Sequence, residues 1–151
     1  MITFSRSQLI SVESVSNEIL RFHGTQEDHI YSMEIEMDVR VVDGVILAIK
    51  GWMKRYTTPV CPKAVNILQQ AVGISLRKDG WTNKIMREIG RKGCQHFAEI
   101  INECGRCLDQ ARLTIAMNEA RNLDPAMNQE EIAKAWLTDH FEFQGSPLAQ
   151  R

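Results

Sequence analysis

Between Ser32 and Val41 the sequence alternates without a slip: Met33, Ile35, Met37, Val39 and Val41 take turns with Ser32, Glu34, Glu36, Asp38 and Arg40. Successive side chains of a strand point to opposite faces, so this pattern dictates a strand with one apolar face and one charged face. Such a strand needs partners along its edges and a cover over its apolar side. Asp43-Gly44 comes next, a pair that favours the positive φ of a tight two-residue hairpin, and Val45 to Tyr56 supplies the returning strand. Residues 4–24 read two ways. Leu9, Val12, Val15, Ile19 and Phe22 fit a helical stripe, whereas the serine and valine content with a turn at Ser16-Asn17 fits two short strands. Strands are the preferred reading, giving an antiparallel meander of three or four strands with one wet face.

The cover comes from the second half. Thr57-Thr58-Pro59-Val60 ends the sheet, and Pro62 suits the first turn of a helix, where its missing N–H costs nothing. Val65, Leu68, Ala71 and Val72 form its expected buried stripe, with Gly73 as C-terminal cap. A short helix is predicted over 82–89, capped by Thr82 and stopped by Gly90. A long amphipathic helix, about 94–121, carries Phe97, Ile101, Cys104, Leu108 and Ile115 on one face and ends before Asp124-Pro125. Asn128 and Glu131 make a capping box for a last helix over 129–140 that buries Ile132, Ala135 and Trp136. The fold class is therefore α+β: strands over about 4–56, helices over about 61–140 packed on one face, and a mobile tail over 142–151. No repeat or linker divides the chain, so one domain spanning 1–151 is expected.

Composition narrows the function classes. With 18 lysines and arginines against 19 acidic residues, no general basic field exists to recruit nucleic acid or anionic lipid. No apolar run reaches the roughly 20 residues of a membrane-spanning helix, and no signal peptide is visible, so a cytoplasmic protein with reduced thiols is expected.

Chemistry concentrates on four cysteines. Cys61 and Cys94 each stand at or just before the first turn of a predicted helix, where free N–H groups favour a thiolate. Lys54 and Arg55 precede one, and Arg91 and Lys92 the other, pushing in the same direction. Each could equally be a small apolar residue at a helix start. His96 lies two residues past Cys94, about 200 degrees around a regular helix, so the two can share a metal only if Cys94 stands before the first turn. With Cys61 they would make a two-sulfur, one-nitrogen set suited to zinc, iron or the edge of an iron–sulfur cluster. Glu99, one turn on, could orient the imidazole or be a solvated helix charge. Cys104 and Cys107 resemble a Cys-x-x-Cys pair, yet they fall inside the long helix and about 15 Å from Cys94, so core packing is the preferred reading of Cys104. Trp52 and Trp81 are assigned to packing, and Met53 to Tyr56 could hold an anion or be solvated strand-end charges.

Met53-Lys54-Arg55-Tyr56, Pro59, Cys61-Pro62, Gln69 to Gly73, Gly80-Trp81 and Gly90-Arg91-Lys92-Gly93-Cys94-x-His96-Phe97 resemble an uncharacterised bacterial family of small domains of unknown function. The likeness runs from about Ser5 to Leu113, and Gly-Cys-x-His is its most specific part. It implies opening strands and then helices, and no reaction. Family members often carry a histidine just before the main strand, in an Ile-His-Asp-Met-like run, where this chain reads Ile30-Tyr31-Ser32-Met33 with His29 two places before Tyr31. A fainter likeness in layout is to iron–sulfur-cluster scaffold proteins. Only Cys61, Cys94 and His96 match there, a cysteine from an earlier strand-connecting loop is missing and the order at the helix start differs.

Three functions are expected on these grounds. The first is a metal- or iron–sulfur-binding accessory protein using Cys61, Cys94 and His96. The second is a cysteine-dependent enzyme with Cys94 or Cys61 as nucleophile and His96 as base. The third is an interaction module that binds another protein or a second copy of itself, forming a homodimer through the long helix or the sheet edge.

Overall fold

The alternating segment becomes β3 (Ser32–Arg40), third strand of a four-stranded antiparallel meander with β1 (Arg6–Ser16), β2 (Ile19–Asp28) and β4 (Ile46–Arg55) in spatial order β1-β2-β3-β4. This computed structural model describes residues 1–143; the tail beyond lies outside the described residues. The ambiguous N-terminal segment is the β1-β2 hairpin, turning at Asn17-Glu18 with a register irregularity between Ser14 and Ser16.

The β3-β4 turn differs from the expected two-residue hairpin. Only Gly44 adopts positive φ (68°), and the loop is longer, closed by Arg40 N–H to Val45 carbonyl (2.9 Å) and Gly44 N–H to Arg40 carbonyl (2.8 Å). Asp43 serves with its side chain instead, accepting from Val45 N–H at 3.2 Å and pairing with Arg40 at 2.7 Å. A short polar side chain bonded to its own backbone stabilises the turn without the left-handed geometry.

The chain divides into two compact units, the first over Met1–Leu108 and the second from Asp109 onward. In the first, Leu20, Phe22, Met33, Ile35, Met37, Val39, Ile46 and Ile49 line the inner face of the sheet, all buried. Helices cover that face, as expected. The opposite face carries charge: Arg21 bonds Asp38 through Nε–Oδ1 and Nη2–Oδ2 contacts of 2.7 and 2.9 Å, and Lys54 reaches Glu34. Trp52 is on this side and 45% exposed, so it adds little to the core.

The first covering element, Cys61–Ala71, is a 3₁₀ helix rather than the α-helix expected. Its buried residues Leu68 and Ala71, with half-buried Val65 before them, recur every third residue, the repeat of a 3₁₀ helix, and Val72 leaves the buried stripe for solvent. Gly73 then takes φ of 87° and donates to the Ile46 carbonyl at 2.8 Å. The next helix starts earlier than its expected cap: α1 (Trp81–Ile85) is preceded by Gly80 at φ 77°, and Thr82 lies inside it without capping. It widens into a π turn over Met86–Arg91, so Gly90 does not stop it.

The long helix expected from the apolar stripe is two helices, α2 (Gln95–Arg106) and α3 (Leu108–Leu123), interrupted at Cys107. The Cys107 N–H is shared between the carbonyls of Glu103 (3.2 Å) and Cys104 (3.1 Å), the tightening that often marks a helix end. Phe97, Ile101, Cys104 and Leu108 are buried as predicted, whereas Ile115 is half-exposed. In the second unit, α4 (Gln129–Asp139) is capped by Asn128, whose Oδ1 accepts from Glu130 N–H at 2.9 Å. Glu131 is not paired back onto that cap among the described hydrogen bonds. Ile132 and Trp136 are buried and Ala135 is exposed. Trp136 stacks on His140 at 4.0 Å between ring centroids, and Phe143, part of a 3₁₀ turn over Phe141–Phe143, packs at 5.3 Å. No helix among the described residues is long and apolar enough to cross a membrane.

Candidate functional site

Two chain reversals deliver sulfur to the same place. After β4 the chain turns on Thr58, whose carbonyl accepts from Cys61 N–H at 3.0 Å, so Cys61 opens the 3₁₀ helix with Pro62 in its first turn. After α1 the π turn brings Cys94 N–H to the Ile89 carbonyl, five residues back, at 3.0 Å, and Cys94 takes the extended N-cap position of α2 (φ −138°, ψ 116°). A π turn inserts a residue and re-aims the chain beyond it, which is why such turns gather at functional sites. Gly93 then lets the stretch of chain before α2 press onto the 3₁₀ helix: a Cβ at this position would stand 2.3 Å from Ile67 Cγ2.

Between these segments lies a cavity of about 570 Å³ whose walls include Cys61, Cys94 and His96 together with Tyr31, Lys63 and Lys92. All three residues singled out in the sequence as ligands or catalytic groups therefore meet at one site. Its volume suits a small organic molecule, since such pockets run from about 300 to 1,000 Å³.

The two thiols are shifted in opposite directions. The Cys61 sulfur lies 3.5 Å from the Thr58 hydroxyl and 3.7 Å from that of Thr57. Hydroxyls that donate to a thiolate stabilise it, chiefly Thr58 here, and the Cys61 pKa falls to about 7. The basic residues expected to do this are engaged elsewhere: Lys54 with Glu34, and Arg55 with Glu27 and the Asp28 carbonyl. Cys94 corrects the expectation that both thiols are activated. Burial pushes its pKa up, and although the amides of Phe97 and His96 favour the thiolate, they make no regular side-chain cap and do not win.

His96 packs its ring against Tyr31, centroids 4.3 Å apart, and its Nδ1 lies 3.9 Å from Cys94 Sγ. Burial first, then the nearby Arg6 charge, lowers its pKa and so disfavours the imidazolium. Tyr31 also lines the cavity. It is held by Asp28, whose Oδ1 accepts from the N–H groups of Ile30 and Tyr31, both at 2.7 Å, while Oδ2 accepts from Arg6 Nε at 2.8 Å. Burial of the Asp28 carboxyl alone would raise its pKa; the Tyr31 and Ile30 amides and Arg6 outweigh it and bring it to about 2.

Sequence reasoning did not find Thr57, Thr58, Tyr31, Asp28 or Lys63. The threonines carried a usable signal, since Cys61 comes after two hydroxyl residues within four positions. Among the described hydrogen bonds Glu99 is not paired with the imidazole: Gln95 donates to it at 2.9 Å, and it lines another cavity with Asn102 and Glu103. Cys104 is fully buried core, with a pKa raised by burial, and Cys107 is half-buried. Among the described residues no group of three or more His, Cys, Asp or Glu stands close enough to hold a metal ion.

A family profile described as "Protein of unknown function (DUF2889)" matches residues 10–110. The chain belongs to that family. The DUF2889 match contains every wall of the cavity, from Tyr31 to His96. No curated protein and no solved structure matches the sequence.

Proposed function

We propose that this DUF2889 protein acts through thiol chemistry on a small molecule, with Cys61 as the reacting sulfur. The observation that carries the reading is the Cys61 environment: a cavity-wall sulfur beside two hydroxyls, with a pKa of about 7. About half of it is thiolate at neutral pH, and the thiolate is the nucleophilic form. Attack needs no base to remove a proton at the moment of reaction, so His96, beside Cys94 in the wall, is not required as one. Peptide-resolved alkylation across pH tests the reading. Cys61 labelling is expected to be half-maximal near pH 7, and a midpoint at the free-thiol value of about 8.5 overturns it.

A metal centre on Cys61, Cys94 and His96 is the second reading, supported by their meeting at one cavity. Two sulfurs and a nitrogen suit zinc, iron or an iron–sulfur cluster. Binding would require the side chains to draw closer, since among the described residues no three stand within reach of one ion. Metal content after anaerobic purification, compared with Cys94→Ser, decides it: equal and negligible metal in both removes the reading.

A further inference from the structure

We infer that the molecule taken up by this cavity carries a negative charge, so that the substrate class is small anionic carbon electrophiles. The inference rests on the reading of Cys61 as the reacting sulfur and names what that sulfur meets.

The charge balance of the wall carries the argument. Two lysines, Lys63 and Lys92, line the cavity, and among the described residues no aspartate or glutamate does. Lys92 is shared with Glu88, which lies outside the wall, whereas Lys63 enters no ion pair among the described residues. Two helix starts also converge here, the 3₁₀ helix at Cys61 and the twelve-residue α2 behind Cys94, and neither has an acidic residue in its first turn. The Cys94 side chain gives α2 no regular cap hydrogen bond, and the positive end of a helix favours an anion. Val60, Ala64 and Ile67 supply an apolar flank for a carbon skeleton. The Cys61 thiolate offsets part of this positive field, but its own stabilisation comes first from Thr58 and Thr57, with no lysine among the main causes. Lys63 is thus left to a second anion, with Lys92 beside it already paired to Glu88.

Two alkylating probes of nearly equal size separate the charge from the chemistry: iodoacetate, an anion, and iodoacetamide, its neutral counterpart. In both, the Cys61 thiolate attacks the methylene carbon, an S–C bond forms, the C–I bond breaks and iodide leaves with the electron pair. Both draw on the same thiolate fraction, so the ratio of their rates cancels any pKa difference. The iodoacetate-to-iodoacetamide ratio at Cys61, read by peptide mass spectrometry on the full chain at low salt, is expected to exceed that of 2-mercaptoethanol about tenfold. It is expected to fall about threefold in Lys63→Gln and further in 0.5 M NaCl, as a near-surface charge interaction screened by salt requires. Protection of Cys61 by acetate assigns the anionic group as carboxylate, and protection by inorganic phosphate assigns it as phosphate; both support the inference. A ratio equal to that of 2-mercaptoethanol and indifferent to Lys63→Gln overturns it, while fast labelling by both probes would leave the reacting sulfur in place. Slow labelling by both, with a midpoint near the free-thiol value, overturns the reading of Cys61 itself.

Discussion

Two hydroxyl groups at Cys61 and burial at Cys94 separate the two thiols. Both cysteines open helices, yet one loses its proton near neutrality and the other is held protonated by burial. Replacing Thr58 with valine removes the larger contribution, and the Cys61 alkylation midpoint is expected to rise by about one pH unit, since a hydrogen bond to a charged group is worth about 1.5–3 kcal/mol and one pH unit about 1.4 kcal/mol. The sign is that of an acid with a depressed folded-state pKa: the thiolate's contribution is complete above the unfolded value and disappears as pH falls through about 7. Thr57→Val is expected to move the midpoint less, its contact being longer. Asp28 obeys the same logic at lower pH. Its side chain has no exposed surface and holds the Tyr31 turn, so Asp28→Asn is expected to cost about 3 kcal/mol at pH 7 in urea unfolding. The carboxylate's contribution is complete above about pH 4 and is lost towards its folded pKa of about 2, so the gap between the two proteins narrows on acidification across that window. Cys61, Cys94 and His96 were legible in the sequence because thiols and imidazoles announce themselves by type. Tyr31, Asp28 and Lys63 were not, because their importance comes from what folding puts beside them.

At the level of elements, alternation was enough to read β3 and the returning strand, and their register is set by the turn between them. The helical half was harder because an apolar stripe does not report small changes in winding. Val65, Leu68 and Ala71 fit either an α or a 3₁₀ stripe until their three-residue period is noticed, and nothing in Phe97 to Ile115 announces a break at Cys107. Gly93 is where winding becomes function. It places the start of α2 against Ile67, and with it Cys94 in the same cavity wall as Cys61. In Gly93→Ala the new methyl would meet the branched part of Ile67 at 2.3 and 3.0 Å, atoms that cannot swing aside as a chain end does. Overpacking of this kind costs about 1–3 kcal/mol. Adding Ile67→Ala is expected to recover part of that loss, so the double variant in urea unfolding should be more stable than the sum of the singles implies. Strict additivity would mean that the close approach is not what Gly93 provides.

For the whole molecule, the family match and the packing point to the same piece of chain. DUF2889 covers residues 10–110, and the first compact unit ends at Leu108. Of the buried hydrophobic residues described, only Ile132, Trp136 and Phe143 lie beyond that unit, and the whole cavity lies inside it. A unit of this length is large enough to sustain its own core, while the cluster of Trp136, His140 and Phe143 in the second is too small to do so in isolation. A chain stopped after Gln110 keeps the sheet, the 3₁₀ helix, α1, α2 and the buried Leu108. It is expected to unfold in a single urea transition and to retain a Cys61 alkylation midpoint near pH 7, because every group that sets that value is still present. Loss of the cooperative transition would mean that the second unit is required for the first to fold. A cooperative transition with the midpoint returned to the free-thiol value would instead place a determinant of Cys61 reactivity beyond residue 110, in chain that the site's walls do not include.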